Sequence, residues 1–120
     1  MSDKELLGLA AKAAGLRLFI WGAKGAENYC IKNADGSPGD RWNPLTDDGD
    51  ALRLAVKCDI ALSFDRAYPD GKLVARVCCA FGDTLYGDAE PADLDPYAAT
   101  RRAITRAAAE IGKTMENQNV

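Results

Sequence analysis

Histidine is absent from the 120 residues, and its absence removes several chemistries at once. There is no Ser-His or Cys-His catalytic pair and no imidazole to hold a metal. The four cysteines, Cys30, Cys58, Cys78 and Cys79, lack the CxxC spacing of a redox or zinc motif. No run approaches the roughly 18 apolar residues that a membrane span needs. Charge of one sign is also scarce. Fifteen Lys and Arg stand against 18 Asp and Glu, a net −3, too weak for a nucleic-acid binder or a DNA mimic. Residues 22–27 (GAKGAE) have two glycines and no Lys-Ser/Thr step, so no phosphate loop is present.

What is there describes an ordinary folded domain. Hydrophobic residues make up 48% and charged residues 28%, which suits a globular chain and not a disordered one. The length predicts one domain over residues 1–116, with a frayed tail at 117–120. The first 15 residues are charged and amphipathic, without the apolar stretch of a signal peptide. The expected location is therefore a reducing cytoplasm, with free thiols. The cysteines are read as small buried hydrophobes. The adjacent pair Cys78-Cys79 would point to opposite faces of a strand, which argues against a four-thiolate zinc site. No cofactor is expected.

Periodicity and capping signals give the elements. Leu6, Leu7, Ala10 and Ala14 recur at helical spacing, Ser2 with Glu5 forms a capping box, and Gly15 is a stop, so a helix is predicted over 3–14. Residues 16–21 (LRLFIW) and 28–32 (NYCIK) read as a strand pair around a turn. Residues 33–40 (NADGSPGD) read as a loop. A second helix is predicted over 47–57, with Thr46 or Asp47 as cap and acids in its first turn. Residues 60–66 and 72–81 alternate well around Pro69-Asp70-Gly71 and form a second predicted hairpin. Residues 82–94 read as an acidic loop carrying Asp83, Asp88, Glu90 and Asp93. Asp95 and Pro96 then open an alanine-rich helix with Tyr97, Ile104, Ala108, Ile111 and Met115 along its apolar side. The expected architecture is an α+β fold, a three-layer α-β-α sandwich. Its sheet would have about four antiparallel strands from two hairpins, in the order helix-hairpin-helix-hairpin-helix.

Three surfaces carry candidate chemistry. Asp47, Asp48 and Asp50 follow Trp42-Asn43-Pro44. Closely spaced carboxylates suit a hard cation such as Mg²⁺, while the plainer reading is a helix start stabilised by its dipole. Trp21, Tyr29, Trp42 and Tyr68 are amphipathic side chains of the kind found at binding hot spots or plugging a small core. Arg101, Arg102, Arg106 and Lys113 make a basic helix face, read as solvated and internally paired rather than bound to nucleic acid.

Three segments resemble the phage ABA sandwich domain family of small phage and prophage proteins. They are LAAKAAGLRL, WNPLTDDGDALRLA and DPYAATRRAITRAAAEIG, and together they cover most of the chain. The chain departs from the family's pattern in its Cys78-Cys79 strand and in the length of the 82–94 loop. The resemblance implies the three-layer fold and a phage-derived gene expressed in a bacterial host. It brings no catalytic residues.

The functional expectation is a non-enzymatic accessory protein that binds a host or phage protein. The contact surface is placed at Trp42, Asn43, Pro44, Asp47 and Asp48, with Trp42 as anchor. Two other readings stand beside it. One is a Mg²⁺- or Mn²⁺-dependent enzyme using Asp47, Asp48 and Asp50. The other is a homodimer formed through an exposed sheet edge or the last helix. Neither a membrane nor a nucleic acid is an expected partner.

Overall fold

A computed structural model describes residues 1–66, 71, 73–81, 84–91 and 95–118, excepting the side chains of 80, 81, 84–91 and 118. The first helix, α1 (Asp3–Ala13), begins where Ser2 Oγ accepts the Glu5 N–H at 3.2 Å. It ends with Gly15 at φ +72°, and the Leu16 N–H reaches back to the Ala11 carbonyl at 2.8 Å. This six-residue closure needs a left-handed residue at Gly15, where a side chain would be strained. Strands β1 (Leu18–Trp21), β2 (Asn28–Lys32) and β3 (Pro38–Arg41) follow, all antiparallel, in the order β1-β2-β3.

The second half repeats the plan. Helix α2 (Asp48–Lys57) is capped by Asp47, whose carboxylate accepts the Asp50 N–H at 2.8 Å. It closes the same way as α1, with the Ile60 N–H on the Ala55 carbonyl at 2.9 Å. Here the left-handed residue is Asp59, at φ +54°. Strands β4 (Ala61–Arg66), β5 (Leu73–Phe81) and β6 (Thr84–Pro91) form a second antiparallel sheet, ordered β4-β5-β6. Helix α3 (Pro96–Gln118) closes the chain, its start capped by Asp95, which accepts the Ala98 N–H at 3.0 Å.

The class is α+β with three helices, but the single four-stranded sheet gives way to two three-stranded ones. The expected loops at 33–40 and 82–94 hold most of β3 and all of β6. Both segments are rich in Gly, Pro and Asp, which read as loop yet are tolerated at sheet edges. Inside β3, Gly39 has no room for a side chain, since a Cβ would lie 2.7 Å from Asn33 Oδ1 and 2.9 Å from the Ile31 carbonyl. The expected frayed tail is helical through Gln118; residues 119 and 120 lie outside the described residues. So do Tyr68, most of the Pro69-Asp70-Gly71 turn, and Asp83 and Asp93 of the predicted acidic loop.

One buried cluster draws on all three helices and both sheets, including Leu7, Tyr29, Leu54, Val77 and Ile104. Helix α3 runs through its middle, touching α1, α2, β5 and β6. Its alanines bring α1 so near that a Cβ on Gly112 would overlap the Leu9 carbonyl. Tyr97, expected on the apolar side of this helix, is exposed. The radius of gyration is 14.8 Å. No helix among the described residues is long and apolar enough to cross a membrane.

Candidate functional site

The Trp42–Asp50 segment is a clasp built from its own polar groups. Asn43 starts it: its side-chain Oδ1 accepts the Leu45 N–H at 3.0 Å, and its carbonyl accepts the Thr46 and Asp47 N–H groups at 3.1 and 2.9 Å. Asn side chains favour such turns because they imitate a backbone acceptor. The Asn43 N–H donates to Asp50 Oδ2 at 2.9 Å, so a helix residue holds the turn that precedes its own helix. Asp50 Oδ1 takes the Arg53 guanidinium at 2.7 Å, and Arg53 also lies 3.8 Å from Asp47. Arg101 on α3 donates to the Leu45 carbonyl at 2.9 Å and to Asp48 at 2.7 Å, tying the clasp to the central helix. On the other side the Trp42 N–H donates to the Tyr29 carbonyl of β2 at 3.1 Å.

This arrangement divides the expected contact surface. Trp42 is 4% exposed and Pro44 is fully buried, so both are core residues in this structure and Trp42 offers no protruding anchor. Asn43 is half-buried. Asp47 and Asp48 remain at the surface, each beside an arginine. The carboxylates that a cation site would bring together are turned to separate donors: Asp47 to the helix start, Asp48 to Arg101, Asp50 to Asn43 and Arg53. Among the described residues no group of three or more His, Cys, Asp or Glu side chains is placed to hold a metal ion.

The basic face of α3 is also spoken for in part. Arg101 serves the clasp, and Arg102 lies 3.8 Å from Asp3 on α1. These two cations reach other helices, Arg101 to α2 and Arg102 to α1.

The thiols are all free. Cys30 and Cys79 are buried hydrophobes, as expected, but Cys78 is exposed on the opposite face of β5. Burial, with Cys79 nearby as a lesser cause, pushes the Cys58 thiol up, and burial likewise raises Cys79. A raised thiol stays protonated and is a poor nucleophile. Burial also raises the Tyr29 hydroxyl, keeping it neutral.

Two features of the surface went unnoticed in the sequence. One is a cleft of about 720 Å³ beside the clasp, lined by the apolar Leu16, Ile31, Leu54 and Trp42 and by the charged Asp40, Arg41, Asp50, Arg53 and Lys57. The signal for it was faint: Arg41 directly precedes Trp42, and Lys57 ends α2. The other is strand β4, whose six residues are all exposed, including Phe64 at 52%. Its alternation was legible, but not what lies across from it. Comparisons with protein-family models, curated proteins and solved structures return no match for this chain.

Proposed function

We propose that this chain is a non-enzymatic accessory protein of phage or prophage origin that acts by binding another protein inside a bacterial host. The resemblance of its three segments to the phage ABA sandwich family motivates the origin, and that family's three-layer α-β-α plan is the finer form of the α+β fold. The observation that carries the binding reading is the cleft beside the clasp. Leu16, Ile31, Trp42 and Leu54 give it apolar lining, and beside Asp40, Asp50 and Arg53 in the same lining stand Arg41 and Lys57. Neither cation has an ion-pair partner among the described residues. Apolar walls with a few unspent charges favour a protein surface that offers acidic side chains around an apolar contact.

The test is affinity capture from a host lysate, comparing the wild type with the Arg41→Glu, Lys57→Glu double variant. A protein retained by the wild type and reduced more than about tenfold by the double variant, the effect expected for opposed charges at a rim, supports the reading. Equal retention by both removes the cleft as the contact. Measurable turnover of any substrate by the purified chain would overturn the non-enzymatic part.

A further inference from the structure

The core face of the second sheet stops being covered one strand too early. In the β4–β5 register, Leu62 lies opposite Val77 and Phe64 opposite Ala75, so these four share one face. On β5 that face is closed, with Ala75 at 0% and Val77 at 3% exposure. On β4 the same face is open, with Leu62 at 39% and Phe64 at 52%. β4 is also the end strand of its sheet. Half of its backbone N–H and C=O groups therefore point away from β5, as a ladder with no partner strand among the described residues. An exposed edge that carries apolar side chains is a template for a further strand.

We infer that the strand which fills this edge is β4 of a second copy of the chain, paired antiparallel about a two-fold axis at Ser63. This goes beyond the cleft described above and does not depend on it. The pattern of the strand favours self-pairing in that one register. With Ser63 opposite Ser63 of the other copy, Leu62 faces Phe64 twice, and four apolar side chains meet on the open face. Aromatic–aliphatic pairs directly opposite one another are the stabilising unit of a sheet. Charges also fit. Asp65 falls opposite Ala61, and the two Asp65 side chains end up about 14 Å apart at roughly 3.4 Å per residue, beyond the screening length of ordinary buffer. Each Asp65 already has its own counter-charge, Arg76, at 2.8 Å. The neighbouring registers are worse. Centring on Leu62 sets Asp59 against Asp65, and centring on Phe64 separates Leu62 from Phe64 and sets Arg66 against Leu62, whereas the Ser63 register puts Arg66 opposite Ile60, just outside the strand. A one-residue slip turns the apolar pair to the wrong face.

Two copies joined this way make one six-stranded sheet. Sedimentation equilibrium from about 5 to about 300 µM, the range suited to an interface of modest size, tests the association itself. The wild type is expected to pass from monomer to dimer across that range. Phe64→Lys, at an exposed position, is expected to keep the wild-type circular dichroism and weaken the dimer more than tenfold. The register has its own test in a Cys78→Ser background, which removes the exposed native thiol. There Ser63→Cys is expected to give a disulfide-linked dimer on mild oxidation, because the opposed Cα atoms lie within about 5.5 Å. Ala61→Cys places its thiols too far apart to link. A wild type that stays monomeric to the top of the range overturns the proposal and leaves a different strand as the partner. A Phe64→Lys dimer of unchanged strength, or equal cross-linking at 61 and 63, overturns it as well.

Discussion

The Trp42–Asp50 clasp and strand β4 each place an aromatic side chain beside acidic ones, yet the fold uses them in opposite ways. In the clasp, Trp42 is buried and the acids Asp47 and Asp50 accept hydrogen bonds from backbone a few residues away. In β4, Phe64 is half in solvent, Asp65 pairs with Arg76 from the next strand, and one side of the backbone ladder has no neighbouring strand among the described residues. The first region spends its polar groups on joining α2, α3 and β2. The second leaves one edge of its sheet without a neighbouring strand among the described residues. An aromatic next to acids is thus no sign of a binding surface until the hydrogen-bond partners have been counted.

The sharpest way to break this comparison is to truncate both aromatics. Trp42→Ala is expected to cost about 3–5 kcal/mol in urea unfolding, the range for emptying a buried aromatic site. A loss below about 1 kcal/mol would return Trp42 to the surface. Next in size is Asp50→Ala. It leaves the Asn43 N–H without its acceptor in a partly buried turn, and the loss expected from the same measurement is about 1–3 kcal/mol. A near-neutral result would mean that water replaces the carboxylate, so that the clasp is not closed. Asp59→Gly then compares the two helix endings. Gly15 and Asp59 hold equivalent left-handed positions, and only the second carries a strained side chain. The expected gain is about 0.5 kcal/mol, read as a raised thermal midpoint, after the greater freedom of glycine in the unfolded chain offsets part of the relief. The smallest effect belongs to Phe64→Ser. Measured in dilute solution, where association is negligible, it is expected to stay within about 0.5 kcal/mol of the wild type, as for most surface changes.

The same contrast marks what could be read in the sequence. The helices were legible because their ends are local chemistry: Ser2 with Glu5, Gly15, Asp47 and Asp95 all cap as their types suggest. The central strand β5 was legible from alternation, and β2 from its place after a turn as the returning arm of a hairpin. The edge strands β3 and β6 were not, because an edge strand carries the same Gly, Pro and acidic residues as a loop. Missing them turned two three-stranded sheets into one of four strands. The clasp was legible as a helix start, with Asp47 as its cap. The inward turn of Trp42 was not, since an indole beside Asn-Pro reads the same whether it packs on β2 or on a partner. The exposure of Leu62 and Phe64 was hidden for a different reason. Alternation assigns them to the core face, and only the placement of α3 over β5 and β6 decides that β4 is left open.

The most direct test of the open edge is amide hydrogen exchange of β4 at low and high protein concentration, with β1 as the internal reference. β1 is also an end strand, so crowding or general association would slow both alike. Protection that rises with concentration at alternate amides between Ala61 and Arg66, while β1 stays unchanged, is the expected result. Exchange in β4 that is the same at both concentrations, or that changes in step with β1, would contradict it.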